Sequence, residues 1–294
     1  MPDRVEVSGH PVYMAGPEDS PLGDEPPTDN AQFMVKLVAE YVDLTGDKAA
    51  FLARRGQLYA GMDRVPRADD GLVRVDRNYP HSTYGFTDSI AKTGKEFFTS
   101  LLYWEATRLL AQLCADAEYH DEAHDWYERA EPLKHSLDQF YDEEYGLYRA
   151  ASRDGNQLDL WGSAYACVLR LASKSRAQRI AEFFRDTPEV SIWHGHVRHL
   201  PVGQYWDRLI RPGWPEPETY QNGAFWAVPS GWVAQVMALS DQASARALIY
   251  DLTDVWRREG IFECISPYAS PMNEGYVASA TCVLGAVHPA KKLG

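Results

Sequence analysis

The feature that most constrains this chain is the alternation of helical stretches that carry charge with stretches that carry almost none. Segments 222–239 and 275–287 contain no charged residue, and 158–171 has only Asp159 and Arg170. The stretches 121–140 and 242–258 carry charge on one face throughout. A helix that is apolar all round has to be buried, whereas one with a charged stripe faces water. The alternation predicts inner helices near 30–44, 92–115, 158–171, 222–239 and 275–287, with outer partners near 48–62, 121–140, 175–184 and 242–258. The fold class this implies is all-α, an α/α toroid of helical hairpins with short strand-like loops at its mouth. About four and a half hairpins are legible. The ring is therefore incomplete, or loops and a partner chain close it.

Local signals set the boundaries. Residues 11–29 hold five prolines, so 1–29 reads as an extended N-terminal segment ahead of a toroid domain over 30–294. In the first helix Phe33, Leu37 and Tyr41 recur with Met34, Val38 and Val42, while Gln32, Lys36, Glu40 and Asp43 share the opposite face. Gly46 suits the left-handed position that ends that helix, and Asp47 suits the N-cap of the next. Pro132 predicts a kink or break within 121–140. Residues 142–149 read as a turn and a short strand. The stretch 188–220 is rich in Pro, Trp and His and lacks periodicity. A connection of that length in a compact domain is usually functional, so it is placed over the mouth of the toroid.

Composition excludes several classes. A net charge of −13 opposes a nucleic-acid surface, which needs clustered Lys and Arg. No apolar run reaches membrane-spanning length, and acids occupy the N-terminal positions where a signal peptide needs an apolar core. The four cysteines, Cys114, Cys167, Cys264 and Cys282, form no C-x-x-C pair and read as free thiols. The expectation is a soluble, cytoplasmic protein with no cofactor, in which a homo-oligomer is left open. Nine Trp and seventeen Tyr exceed the needs of a core and suit a carbohydrate partner, because a ring face covers the C–H face of a pyranose.

The stretch Tyr84-Gly85-Phe86-Thr87-Asp88-Ser89 places one carboxylate between aromatics, just ahead of the helical pattern at 92–115. Asp88 is either the N-cap of that helix or a working acid. Apolar walls favour its neutral form and the helix dipole its ionised form.

Taken in order, these motifs resemble the six-hairpin (α/α)6 glycosidases, most closely the family 63 glycoside hydrolases and their mannosylglycerate-hydrolase-like relatives. Thr28-Asp29-Asn30 with Tyr41 and Thr45-Gly46-Asp47 looks like the family's helix pair that opens on a substrate-binding Asp. Gly85-Phe86-Thr87-Asp88-Ser89 looks like its general-acid segment, with Ser89 where the family has Asn. Phe140–Tyr148 is similar to its aspartate turn. Tyr220-Gln221-Asn222-Gly223-Ala224-Phe225-Trp226 sits where the family has a substrate loop, whose arginine is missing here. Glu263, with Pro267 after it, resembles the segment that supplies the general base. The resemblance implies an inverting glycoside hydrolase, with Asp88 protonating the leaving oxygen and Glu263 activating water.

Beside that pair, Glu274 is the alternative base; its structural reading is first-turn charge on the last helix. Asp29, Tyr84, Phe86, Trp161, Arg198, Tyr220, Gln221, Asn222 and Trp226 are candidate substrate-binding residues, with core packing the stronger reading for Trp226. His194-Gly195-His196-Val197-Arg198-His199 has the spacing of a metal face, but no carboxylate or Cys lies at a ligand-like offset, so no metal is assigned. Two other functions compete. A sugar epimerase or isomerase of the same architecture would use the His194–His199 cluster as acid and base, and a non-catalytic carbohydrate-binding toroid would use none of these groups.

Overall fold

The computed structural model describes residues 4–22, 26–80 and 87–287, and contains ten α-helices among them. The chain divides into two compact units: Met1–Phe140 with Ala151–Asn156, and Tyr141–Ala150 with Gln157–Gly294.

The first unit begins with the paired strands β1 (Arg4–Val5) and β2 (Pro11–Val12). Helices α1 (Asn30–Thr45), α2 (Lys48–Leu52) and α3 (Arg55–Asp63) follow. The expected cap is present: Gly46 has φ +73° and donates to the Val42 carbonyl, and the Asp47 side chain accepts from Ala49 N. The buried face of α1 is not the expected one. Ala31, Gln32, Val35, Val38, Ala39 and Val42 point inward, while Leu37, Tyr41 and Leu44 are exposed. Sequence periodicity finds a stripe but does not say which of two adjacent apolar stripes is covered.

Strands β3 (Arg74–Val75) and β4 (Gly94–Lys95) pair antiparallel ahead of α4 (Phe97–Asp116). The helix expected from 92 therefore starts at Phe97. Gly94 has φ +79°, a positive-φ conformation that favours glycine, and a Cβ there would lie 2.4 Å from Ser152 Oγ. α4 packs against α1 and α5 (His120–Ser136), and its buried residues cover most of its circumference. α5 buries only Trp126, Ala130 and Leu133, the inner and outer roles read from charge. Pro132 does not break α5, because buried Ala130 and Leu133 hold the helix on either side of it; a 3-10 turn, Leu137–Phe140, ends it.

The second unit opens on the hairpin β5 (Tyr141–Asp142) and β6 (Leu147–Tyr148). Asp142 Oδ1 accepts from Glu144 N (3.0 Å) and Tyr145 N (3.1 Å) in the turn. Helices α6 (Leu160–Val168) and α7 (Lys174–Asp186) come next, then strands β7 (Ile192–Trp193), β8 (His196–Arg198) and β9 (Phe225–Trp226), helices α8 (Ser230–Met237) and α9 (Gln242–Glu259), strands β10 (Phe262–Ser266) and β11 (Ala269–Glu274), and α10 (Val277–Val287). α8 packs on α6, α7, α9 and α10.

The strands form one antiparallel sheet in the order β11-β10-β9-β8-β7. This corrects the all-α expectation. Half of the segment expected as an inner helix at 222–239 is loop and central strand, and α8 starts only after Pro229, its N-cap residue. A charge-free apolar run suits a buried strand as well as a buried helix, and Pro229 was the signal that divides them. Part of 188–220 is likewise strand rather than loop. α10 also departs from expectation: Val277 and Leu284 are exposed, so its lack of charge does not mean full burial.

Candidate functional site

Within the first unit, residues 87–93 form a buried strap. Thr87, Ser89, Ile90, Ala91, Lys92 and Thr93 are all buried, and of these described residues Asp88 alone reaches solvent, half-buried in a turn. Two anchors fix the strap. Lys92 Nζ lies 2.6 Å from Glu96 Oε1 with both side chains fully enclosed, and Thr93 Oγ1 donates to Asp154 Oδ2 (2.7 Å). Glu96 is also the N-cap of α4, accepting from Thr99 N at 2.6 Å. That settles the capping question: the cap is Glu96, and Asp88 lies in a separate turn upstream. Burying a pair of opposite charges is costly unless their geometry is good and their remaining bonds are met, so the pair also fixes where the strap sits. Tyr84 and Phe86 lie outside the described residues. Asp29 is buried at the start of α1, where its carbonyl accepts from Phe33 N (3.1 Å).

Within the second unit, Glu263 sits on β10, 6% exposed, and accepts a hydrogen bond from Asn273 Nδ2 on β11. Glu274 is exposed on β11, opposite Phe262, so it is strand rather than first-turn helix charge. Burial, and then the charge of neighbouring Glu263, pushes the Cys264 thiol well above its ordinary range.

The histidine cluster does not converge. His194 is exposed with φ +50°. His196 is buried with Nδ1 3.0 Å from the His194 carbonyl, and burial lowers its pKa to about 4. His199 Nε2 lies 3.0 Å from Asp159 Oδ1, and both are buried. Asp159 in turn caps α6, accepting from Gly162 N at 2.7 Å. Among the described residues no group of three His, Cys, Asp or Glu gathers to hold a metal ion.

Most of the expected substrate loop holds itself together. Arg198 is fully buried, donating to Glu218 Oε2 (2.9 Å) and to the Gln204 carbonyl (3.0 Å), so a sugar could reach it only if the loop moved. Asn222 accepts from Trp206 N and donates to the Pro215 carbonyl, both at 3.0 Å, and the Gln221 carbonyl accepts from Trp206 Nε1 (2.9 Å). Trp161 and Trp226 are enclosed rather than open to a sugar: Trp161 stacks on His199 with centroids 4.3 Å apart and meets the edge of Trp226 at 5.8 Å. Tyr220 is different. It is half-buried, and beside it the exposed Trp214 ring lies 5.7 Å away and tilted by 30°. Sequence reasoning missed Trp214, the Arg198–Glu218 pair and Tyr205, whose hydroxyl donates to Glu218 Oε1 (2.5 Å). Trp214 lay within the Pro-, Trp- and His-rich stretch 188–220, which gave no sign of which ring is exposed.

Solved glycosidase structures resemble this chain in fold. The rhamnosidase from Klebsiella oxytoca aligns over 89% of this chain and 47% of its own at 15% identity, with a TM-score of 0.58. The family 78 rhamnosidase of Bacillus sp. GL1 aligns over 88% of this chain and 26% of its own at 16% identity, with a TM-score of 0.59. This chain has a glycosidase fold. The family 63 mannosylglycerate hydrolase from Thermus thermophilus is also similar, over 65% of this chain and 44% of its own at 18% identity, with a TM-score of 0.49. The chain thus spans less than half the length of each of these proteins. No protein-family model and no curated protein matches it.

Proposed function

We propose that this chain is a glycoside hydrolase acting on a small glycoside or oligosaccharide, with Asp88 as proton donor and Glu263 as the carboxylate that activates water. The observation that carries the reading is the strap at 87–93, where buried neighbours and the Lys92–Glu96 pair fix the backbone and leave one carboxylate open to solvent. The glycosidase fold gives that carboxylate its chemical context, and the alternation of buried and charged helices is that of an α/α toroid. Glu263, held by Asn273, is an oriented acceptor. The exposed Trp214 and half-buried Tyr220 supply a ring face for a sugar. The site reading requires no cofactor, and the free thiols suit a cytoplasmic location. The epimerase alternative loses support, because His196 and His199 are both enclosed.

The test is a panel of aryl glycosides, α-rhamnosides and α-mannosides included, with release measured for the wild type and for Asp88→Asn, Glu263→Gln and Glu274→Gln. The first two should lower kcat by about 10²–10⁴, the range for loss of an acid or base. Glu274→Gln should cost far less. Full activity in Asp88→Asn would overturn the assignment of the donor. No hydrolysis across the panel, with sugar binding retained, would favour a carbohydrate-binding role.

A further inference from the structure

Helix α1 carries a second apolar stripe that the described residues leave exposed. Leu37, Tyr41 and Leu44 are 61%, 46% and 83% exposed, and with Met34 they recur at the three-and-four spacing of a helix–helix seam. Isolated exposed leucines are ordinary, but a row of them along a 16-residue helix is not.

At its N-terminal end the stripe runs into a groove of about 650 Å³ beside α3. Met34, Leu58 and Val65 line its apolar part, and Arg54 and Arg64 also line it. Both arginines are exposed. Arg54 donates to the Ala50 carbonyl (3.2 Å), and neither has a carboxylate partner among the described residues. Thr28, 6% exposed, lines the same groove with no hydrogen-bond partner for its Oγ1. At the C-terminal end the surface has the opposite character. Leu44 protrudes, and Glu40 and Asp47 are exposed beside it.

We propose that the chain pairs with a second copy of itself through α1, the two helices running antiparallel about a two-fold axis. The surface is complementary to itself end for end. In that arrangement Leu44 of each copy enters the groove of the other, Asp47 meets Arg54 and Arg64, and the helix dipoles oppose. A partner of single charge sign would match only one end of the surface, whereas a second copy matches both. The contact runs the length of α1, about 24 Å. It involves only first-unit residues and does not depend on the glycosidase reading.

Sedimentation velocity on the intact chain, from low to high micromolar, tests the proposal. The expected result is a monomer–dimer equilibrium that weakens as salt rises. Leu44→Glu and Leu37→Glu should weaken it at least about 100-fold, the loss expected when a charge is buried in an apolar seam. Their far-UV circular dichroism should match the wild type, because both side chains are exposed in the isolated unit. Arg64→Glu should weaken association about 10-fold, and adding Asp47→Arg, which also removes the N-cap of α2 and still faces Arg54, should recover part of that loss. A monomer at every concentration would overturn the proposal. So would a dimer that withstands the leucine variants, or one that the charge exchange fails to rescue.

Discussion

His196 shows how much one buried side chain contributes to the behaviour of this chain. Burial, aided by the electrostatic influence of neighbouring His194, holds its pKa near 4, and the hydrogen bond between its ring and the His194 carbonyl only partly opposes this. The unfolded chain binds that proton near pH 6.5 and the folded chain does not until about pH 4. Between those values the unfolded state holds more protons, so stability falls as pH falls. Urea denaturation from pH 7 to 4 should show a loss of about 3 kcal/mol from this residue. In His196→Gln that part of the slope should be absent; an unchanged slope would exclude His196 as its source. Lys92 makes a second prediction at the same scale. Lys92→Met leaves Glu96 charged and enclosed, which should cost about 3–5 kcal/mol. Adding Glu96→Gln should recover part of that loss, since the amide can still accept from Thr99 N. Equal denaturation midpoints for the single and double variants would mean that the pair is not coupled.

Among the elements, the helix boundaries divide according to what sets them. The junction of α1 and α2 is local: Gly46 takes the left-handed conformation, and the Asp47 carboxylate accepts from Ala49 N at 3.1 Å. Asp47→Ala should therefore destabilise the first unit by about 1 kcal/mol, the ordinary cost of a lost N-cap, read as a lower thermal midpoint. The starts of α4 and α8 are not local. Strand β4 occupies the positions where α4 was expected to begin, because Gly94 and Lys95 pair with β3. Strand β9 occupies the first half of the expected 222–239 helix, because Phe225 and Trp226 lie between β8 and β10. In both places the backbone bonds that decide the conformation come from residues distant in sequence.

For the molecule as a whole, the cysteines give a direct check. All four are free; Cys114 and Cys264 are buried, and burial pushes the Cys167 thiol up to about 12. An aromatic disulfide reagent at pH 8 should titrate four thiols after denaturation, and those of Cys114, Cys167 and Cys264 only slowly in the native protein, since the thiolate is the reacting form. Fast native reaction of all four would contradict their burial. The function reading predicts one further whole-molecule property. If Glu263 activates water directly, proton NMR of the first product should show the anomer opposite to that of the substrate.

The sequence by itself determined roughly where the helices lie (though not where α4 and α8 start), how α1 ends and α2 begins, that α5 and α9 show charge to water, and that Asp88 and Glu263 are carboxylates worth testing. Those features rest on spacing and on residues within a turn of one another, which any reader of the chain can see. Only the tertiary structure decided which stripe of α1 is buried, that five strands run through a region read as helix and loop, and that Arg198, Asn222 and Trp161 turn inward. Each of these depends on a partner far along the chain. Arg198 is buried because Glu218 and the Gln204 carbonyl receive it. Asp88 reaches solvent because all the described residues around it in 87–93 found a place in the core. Periodicity gives the faces of an element, and packing chooses among them, since burial is a property of two surfaces and the sequence displays only one at a time.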